Sequence, residues 1–346
     1  MNKAEHVWTV EAKDFPKTGS MADKLAFAVR YAILSPSSHN TQPWRFRICD
    51  DRLDLIADRT HALVVIDPDG RQLAMSCGAA LFTLRLALRA LGQKEKTNIL
   101  PEGSESNVIA TVRIVGEGEP RAADKSLFAA ILTRRTNRLP FENKPVDVAL
   151  LARLEEAAVA EGAWFAAFAD QKDREALAEI IAKADAVQGK DRRFRRELDA
   201  WVRQNRPEGT ERTDGMPGYG VTFADLMAGA QPLVLRTFEW GDGQAAKDRQ
   251  LAEESNVLAV LGMDGEDLEH WVRGGQALAH VLLVAESAGL AVSYLNQPVE
   301  VRSMWPELMN GIGRDGMPHH ILRIGYGTSV PPTTRRSSDQ VIENNL

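Results

Sequence analysis

The sequence predicts an α+β fold assembled from two like halves, and three observations carry that prediction. An amphipathic helix bounded by glycines occurs twice, over Gly78–Gly92 and Gly275–Gly289, with both pairs of glycines at one offset (275 − 78 and 289 − 92 are both 197). Each helix follows an apolar strand and an acidic turn: Val64-Val65-Ile66 before Asp67-Pro68-Asp69-Gly70, and Val257-Leu258-Ala259-Val260 before Asp264-Gly265-Glu266. Each half closes on a strand, Val108 to Val115 and Ile321 to Tyr326. Any two buried helices look alike, but equal spacing with matching neighbours points to duplication. Both halves then read helix, loop, strand, turn, long helix, strand, the pattern of an α+β fold.

Taken in order, residues Met1 to Ser20 alternate charged and apolar types and hold no apolar core of a secretory signal. The first helical run ends near Ser35, because Pro36 and Pro43 fix their own backbone and disfavour helix before them. The stretch Ser35-Pro36-Ser37-Ser38-His39-Asn40-Thr41-Gln42-Pro43-Trp44 is a stiff loop with more hydrogen-bonding groups than a connecting turn uses on itself. It reads as a holder for a polar ligand, with Trp44 packed beneath it. The boundary between halves falls at the Gly/Pro-rich, charged stretch Gly116–Pro120.

The halves differ where chemistry is expected. Only the second begins with Thr133-Arg134-Arg135-Thr136-Asn137-Arg138, at the end of a helix from Lys125 to Leu132. Only the first carries the polar loop; the second reads Ala157-Ala158-Val159-Ala160-Glu161-Gly162-Ala163-Trp164 there. The second half also holds an insertion over about 188–255. Its Gly/Pro punctuation and its aromatics Tyr219, Phe223 and Trp240 suit either a lid or a helical decoration with a small core of its own.

Composition excludes several classes. With 42 basic and 48 acidic residues the net charge is −6, against bulk nucleic-acid binding. The one dense basic run, Arg192-Arg193-Phe194-Arg195-Arg196, is flanked by Asp191, Glu197 and Asp199 and reads as a solvated helix. No run approaches the roughly 18 apolar residues of a membrane span. Cys49 and Cys77 form no CxxC pair, which fits a reducing compartment and a cytoplasmic protein. Asp67–Gly70 lacks the further ligands of a calcium loop, and His319-His320 lacks a third ligand at metal spacing. His39 reads equally as a ligand contact or a surface residue. No P-loop, GxSxG, HExxH or GxGxxG is present.

The Pro-Ser-Ser-x-Asn-x-Gln-Pro-Trp loop, Arg-Arg-Thr-x-Arg ahead of Pro145-Val146, the Ala288-Gly289-Leu290 helix end and the closing Ile324-Gly325-Tyr326 strand resemble the FMN-dependent nitroreductase superfamily. The tandem arrangement, Asp58-Arg59-Thr60, Cys77–Phe82 and the tail Pro331-Pro332-Thr333-Thr334-Arg335-Arg336 resemble its Acg-type branch, in which one chain imitates the usual homodimer. The resemblance implies two nitroreductase-like halves, each an antiparallel-rich sheet flanked by helices, forming a pseudo-dimer. The halves would be 20–118 and 119–330, followed by a tail, 331–346.

It further implies one FMN per chain, between the halves. Arg134, Thr136 and Arg138 would hold the phosphate and the pyrimidine side of the ring. Pro36, Ser37, Ser38, Asn40 and Gln42 would meet ribityl and ring from across the interface. Asn296 and Gln297 would stand near flavin N5, where family members have smaller residues, and Arg335 or Arg336 would reach the phosphate. Arg135 would be structural. An FMN phosphate is a dianion suited to a guanidinium fork, and ribityl hydroxyls suit serine and asparagine. The implied function is NADH- or NADPH-dependent reduction of a nitroaromatic, quinone or similar small electrophile, with no catalytic side chain or metal to nominate. The alternative is an FMN-storing or sequestering protein with a lid-covered flavin, and a third possibility is a flavin-free scaffold. The partner would be a small molecule, with no nucleic acid or membrane. Duplication removes the need for a second copy without forbidding one.

Overall fold

Each half is built around one sheet and one central 20-residue helix, and the two central helices pack across each other. The computed structural model describes residues 6–203, 213–217 and 248–343. Helix α1 (Met21–Ala32) opens on a capping box, in which Ser20 Oγ accepts from the Asp23 N–H and the Asp23 carboxylate accepts from the Ser20 N–H. The hairpin β1 (Trp44–Cys49) and β2 (Arg52–Ala57) follows, then α2 (Arg71–Ala90), β3 (Gln93–Ile99) and β4 (Val108–Glu117). The second half supplies α3 (Ala122–Ile131), α4 (Val148–Val159), β5 (Trp164–Phe168), α5 (Gln171–Lys190) and α6 (Arg192–Trp201). A two-residue parallel pairing joins β6 (Val202–Arg203) to β7 (Met216–Pro217). Then come β8 (Val257–Met263), α7 (Leu268–Ser287), β9 (Ala291–Tyr294), the short helix α8 (Gln297–Glu300) and β10 (Met317–Gly325).

The strand orders are β1-β2-β4-β3 and β5-β8-β10-β9, one topology used twice. Helices α2 and α7 keep the offset found in the sequence (268 − 71 and 287 − 90 are both 197). The tail returns to the first half: β11 (Ile342–Glu343) pairs parallel with β1 and extends that sheet. Leu53, Leu55, Leu81, Leu84 and Leu88 belong to the first core. Leu322 and Ile324 face one core of the second half, while Leu258, Val260 and Ile321 face another. Helix α2 is apolar and long enough to cross a membrane, yet most of it is buried in the core.

Three expectations need correction. Gly78 and Gly275 do not begin their helices, which start seven residues earlier at Arg71 and Leu268. They mark the crossing: a Cβ on Gly78 would stand 2.1 Å from the Val272 carbonyl oxygen, and one on Gly275 2.0 Å from that of Met75. Val64-Val65-Ile66 is a turn and the strand is β2. The Val65 and Ile66 N–H groups donate to the Glu197 carboxylate at 3.0 and 2.9 Å, which takes the place of a strand partner. The extra segment of the second half is wider than 188–255: β1 and β2 are joined by Asp50-Asp51, whereas the β5–β8 connection runs over 169–256. Tyr219, Phe223 and Trp240 lie outside the described residues.

Candidate functional site

The loop after α1 is pinned to α2, where Ser35 Oγ donates to Thr83 Oγ1 at 2.7 Å. It closes on itself when the Gln42 N–H donates to Ser37 Oγ at 2.9 Å, and the Ser38 N–H reaches Ser76 Oγ at 3.3 Å. Trp44 is fully buried beneath it. His39, Asn40 and Gln42 have φ of 50°, 54° and 52°, left-handed backbone at three non-glycine residues, each costing of order 1–3 kcal/mol. Such backbone persists only when its surroundings enforce it, and here the tail and the inserted segment do so. Asn40 Nδ2 donates to the carbonyls of Gly215 (3.1 Å) and Thr334 (3.2 Å), and Asn40 Oδ1 accepts from Arg335 Nη1 at 2.7 Å. Gln42 Nε2 donates to Thr213 O at 2.9 Å, while Gln42 Oε1 accepts from the Arg336 N–H at 2.7 Å. Arg336 also donates to Gln42 O at 3.1 Å and lies 3.7 Å from Asp58. The surplus of polar groups is therefore spent on the tail and on Thr213–Gly215. His39 is half-buried rather than a surface residue, and burial, with Arg138 nearby, pushes it down to about 4.

Opposite this loop stands the basic segment. A small cavity at the junction of the halves is lined by Leu34, Pro36 and Thr83 from the first and by Ile131, Arg134 and Ala279 from the second, among others. Arg134 is 5% exposed, and its Nη1 has no hydrogen-bond partner among the described residues. Burial pulls its pKa down, against the fields of Tyr294 and Glu286. Thr136 bridges to Val292 and the Asn137 N–H donates to Val292 O at 2.9 Å, which lays the segment along β9. Thr136 is half-buried and Arg138 exposed. Arg135 turns to Trp8 and stacks over it with its Cζ 4.0 Å from the ring centroid. Trp8 Nε1 donates to Thr333 O at 2.8 Å, and Arg335 lies 5.2 Å from the same ring. Sequence reasoning set Met1 to Ser20 aside and missed this tryptophan, whose only signal was a large aromatic in a charged stretch.

Asn296 and Gln297 sit further along the second sheet. Asn296 Oδ1 accepts from the Ile321 N–H at 2.9 Å, and Asn296 Nδ2 lies 3.1 Å from His320 Nδ1. Gln297 Nε2 donates to Asp248 Oδ2 at 2.7 Å. Burial and the neighbouring Asp248 raise the pKa of Asp185. His319 Nε2 lies 2.9 Å from Glu266 Oε2, and no group of His, Cys, Asp or Glu among the described residues could hold a metal ion. Tyr294, also missed, has a buried hydroxyl without a partner among the described residues. Burial raises its pKa, against the fields of Arg134, Arg138 and Arg335. The structure thus brings Pro36 and Arg134 to one cavity, with Tyr294 within the field of Arg134. It binds Asn40 and Gln42 to Arg335 and Arg336, and ties Asn296 and Gln297 to β10 and the inserted segment.

No protein-family model matches this sequence. A Mycobacterium tuberculosis H37Rv protein, Rv3131, provisionally named an NAD(P)H nitroreductase, is 32% identical over 337 residues, covering 95% of this chain and 92% of its own length. The protein acg of the same strain, provisionally named likewise, is 28% identical over 342 residues, covering 94% and 97%. A nitroreductase with bound FMN from Bacteroides fragilis aligns with a TM-score of 0.37 at 17% identity, over 61% of this chain and 94% of its own. Matched to Rv3131 across almost its whole length, this chain belongs to the NAD(P)H nitroreductase family, in the branch that includes Acg.

Proposed function

We propose that this chain is an FMN-dependent oxidoreductase that uses NADH or NADPH to reduce a small electrophile of the nitroaromatic or quinone class. The observation that carries the reading is Arg134, a buried guanidinium facing the Pro36 cavity with an Nη1 that bonds nothing among the described residues. A buried guanidinium N–H left unbonded is costly, and a bound phosphate dianion removes that cost through charge-assisted hydrogen bonds. Arg134 would hold the phosphate, with Thr136 and Arg138 on the same segment. Pro36, Ser37 and Ser38 would border the ribityl chain, and Asn296 and Gln297 the ring side. Asn40, Gln42, Arg335 and Arg336 would act from behind by fixing the loop. FMN, when bound, supplies the hydride and electron chemistry; the chain binds it, orients it and keeps water from it. The halves 20–118 and 119–330 would each give one side of a single site, with the tail 331–346 closing it.

One observation favours a second reading, storage or sequestration of FMN. Thr213 and Gly215 of the inserted segment bond directly to the ligand-facing loop, as a cover would. The visible spectrum of the purified protein, followed by anaerobic addition of NADH or NADPH, separates the readings. Bleaching of bound flavin by either nucleotide is the expected result. Bound FMN that neither nucleotide bleaches would favour sequestration. Colourless protein that takes up no added FMN would overturn both.

A further inference from the structure

His320 on β10 is 4% exposed, and its Nε2 has no hydrogen-bond partner among the described residues. Its tautomer follows from its neighbours. The Ile321 backbone N–H can only donate, and it lies 2.9 Å from Asn296 Oδ1, so the other end of that amide is its NH2. That NH2 lies 3.1 Å from His320 Nδ1, which must therefore accept. Burial pushes His320 down to about 3, with His319 and Arg71 acting in the same direction, so the ring is neutral at pH 7. A neutral imidazole that accepts at Nδ1 carries its proton on Nε2. The outcome is a buried N–H donor of defined tautomer with no acceptor among the described residues, an arrangement that costs about 1–3 kcal/mol unless something fills it.

This donor has company. Tyr294 pairs with Leu322 in the sheet, and His320 is two residues along from Leu322, so both side chains lie on one face, their ring centroids 6.0 Å apart. Arg134, Tyr294 and His320 each present a buried polar atom without a partner among the described residues. Tyr294 links the two ends, lying within the field of Arg134 and beside His320 on the sheet. The three suit an extended ligand with an anionic group at the Arg134 end and a ring bearing hydrogen-bond acceptors at the other.

We infer, resting on the FMN reading above, that His320 Nε2–H donates to an acceptor atom of the flavin ring, and that Asn296 is the positioning residue that fixes this donor. The Asn-Gln pair that departs from the family's smaller residues then has a role: Asn296 aims the imidazole. Ring acceptors carry more negative charge in reduced flavin, so a fixed donor favours the reduced form and raises the potential of bound FMN.

The test uses the full chain and four proteins: wild type, His320→Leu, His320→Gln and Asn296→Leu. Long-range proton–nitrogen NMR of the FMN-free wild type should show His320 protonated at Nε2 alone, and that proton resonance should move when FMN is added. Asn296→Leu should mix the tautomers. With FMN bound, His320→Leu should lower the midpoint potential by about 30 mV, the two-electron equivalent of a tenfold change in relative affinity for reduced flavin. His320→Gln, whose amide still donates, should recover most of that shift. Bound FMN with an unchanged potential in His320→Leu would overturn this inference and leave the flavin reading standing. Wild type that takes up no FMN would overturn both. Should His320→Leu fail to fold, an Nε2 proton unmoved by bound FMN decides against the inference.

Discussion

Helices α2 and α7 create two equivalent places in this molecule, and among the described residues the two are filled differently. The offset of 197 pairs Thr83 with His280, Phe82 with Ala279 and Leu86 with Leu283. In the open place Thr83, Ala279 and Leu283 line a cavity with Arg134, whose Nη1 has no hydrogen-bond partner among the described residues. In the other, the rings of Phe82 and His280 stack with centroids 4.8 Å apart. The loops differ to match: Ser35 bonds Thr83 in the first, whereas Glu161 lies 3.4 Å from His280 in the second. Arg85 donates to Gln276 Oε1 at 2.7 Å and pairs with Glu95 at 3.0 Å, so its charge is satisfied. One backbone plan thus carries two outcomes, set by side-chain volume and by whether the local cation has a partner. That asymmetry is the physical basis for expecting one FMN per chain.

The comparison breaks most visibly at the filled place. Phe82→Ala should cost about 3–5 kcal/mol of folding free energy, measured by urea denaturation, because Phe82 is 2% exposed and its removal leaves a void. It should not add a second FMN, since the guanidinium there, Arg85, already bonds Gln276 and Glu95; a stoichiometry of two would refute the assignment of the phosphate to Arg134. At the open place, Arg134→Ala should weaken FMN binding at least 100-fold, about 2.7 kcal/mol, measured by flavin fluorescence titration. Its flavin-free form should be no less stable than wild type, because the Arg134 Nη1 has no hydrogen-bond partner among the described residues to leave behind. Ala279→Phe, which transplants the bulk of the filled place, should block FMN uptake to a similar degree.

The repeat was legible in the sequence because equal spacing of Gly78/Gly92 and Gly275/Gly289 survives any divergence of the surface. The role of the inner pair was not, since a sequence shows a glycine but not the carbonyl that faces it. The turn at Val64–Ile66 looked like a strand because three apolar residues carry no period, and the carboxylate that decides the matter lies in α6, more than 130 residues away. The polar excess of the Ser35–Trp44 loop was visible, but Gln42 and Arg336 are 294 residues apart, and nothing local says that the loop binds the tail. Arg134 was singled out through its motif. Trp8, Tyr294 and His320 were not, because single aromatics acquire meaning only from what the fold leaves unpaired around them.

A smaller effect sharpens the electrostatic side of the comparison. His320 titrates at about 3 in the folded chain against 6.5 for a free histidine. Below pH 6.5 the unfolded chain takes up a proton that the folded chain refuses. This group's contribution is therefore complete above pH 6.5 and is lost as pH falls towards 3, at about 1.4 kcal/mol per pH unit. Urea stability measured at pH 7.5 and 5.5 should differ by roughly 1 kcal/mol more in wild type than in His320→Gln. Equal differences would show that the imidazole is hydrated.

The smallest expected effect is the most discriminating, because it applies one substitution type to both places. Arg85→Ala removes a guanidinium that already has Glu95 and Gln276 as partners, and Glu95 keeps Arg89 at 3.4 Å and Thr97 at 2.6 Å afterwards. The cost should be about 1 kcal/mol of stability, the scale of a half-exposed ion pair, with FMN affinity unchanged. Arg134→Ala should show the reverse, a large loss of FMN affinity with no loss of stability. Two arginines, one beside each place, would then separate cleanly, one serving the fold and the other the ligand. If both variants lost stability alike and neither changed FMN affinity, the unpaired state of Arg134 would have no functional meaning, and the distinction between the open and filled places would reduce to packing alone.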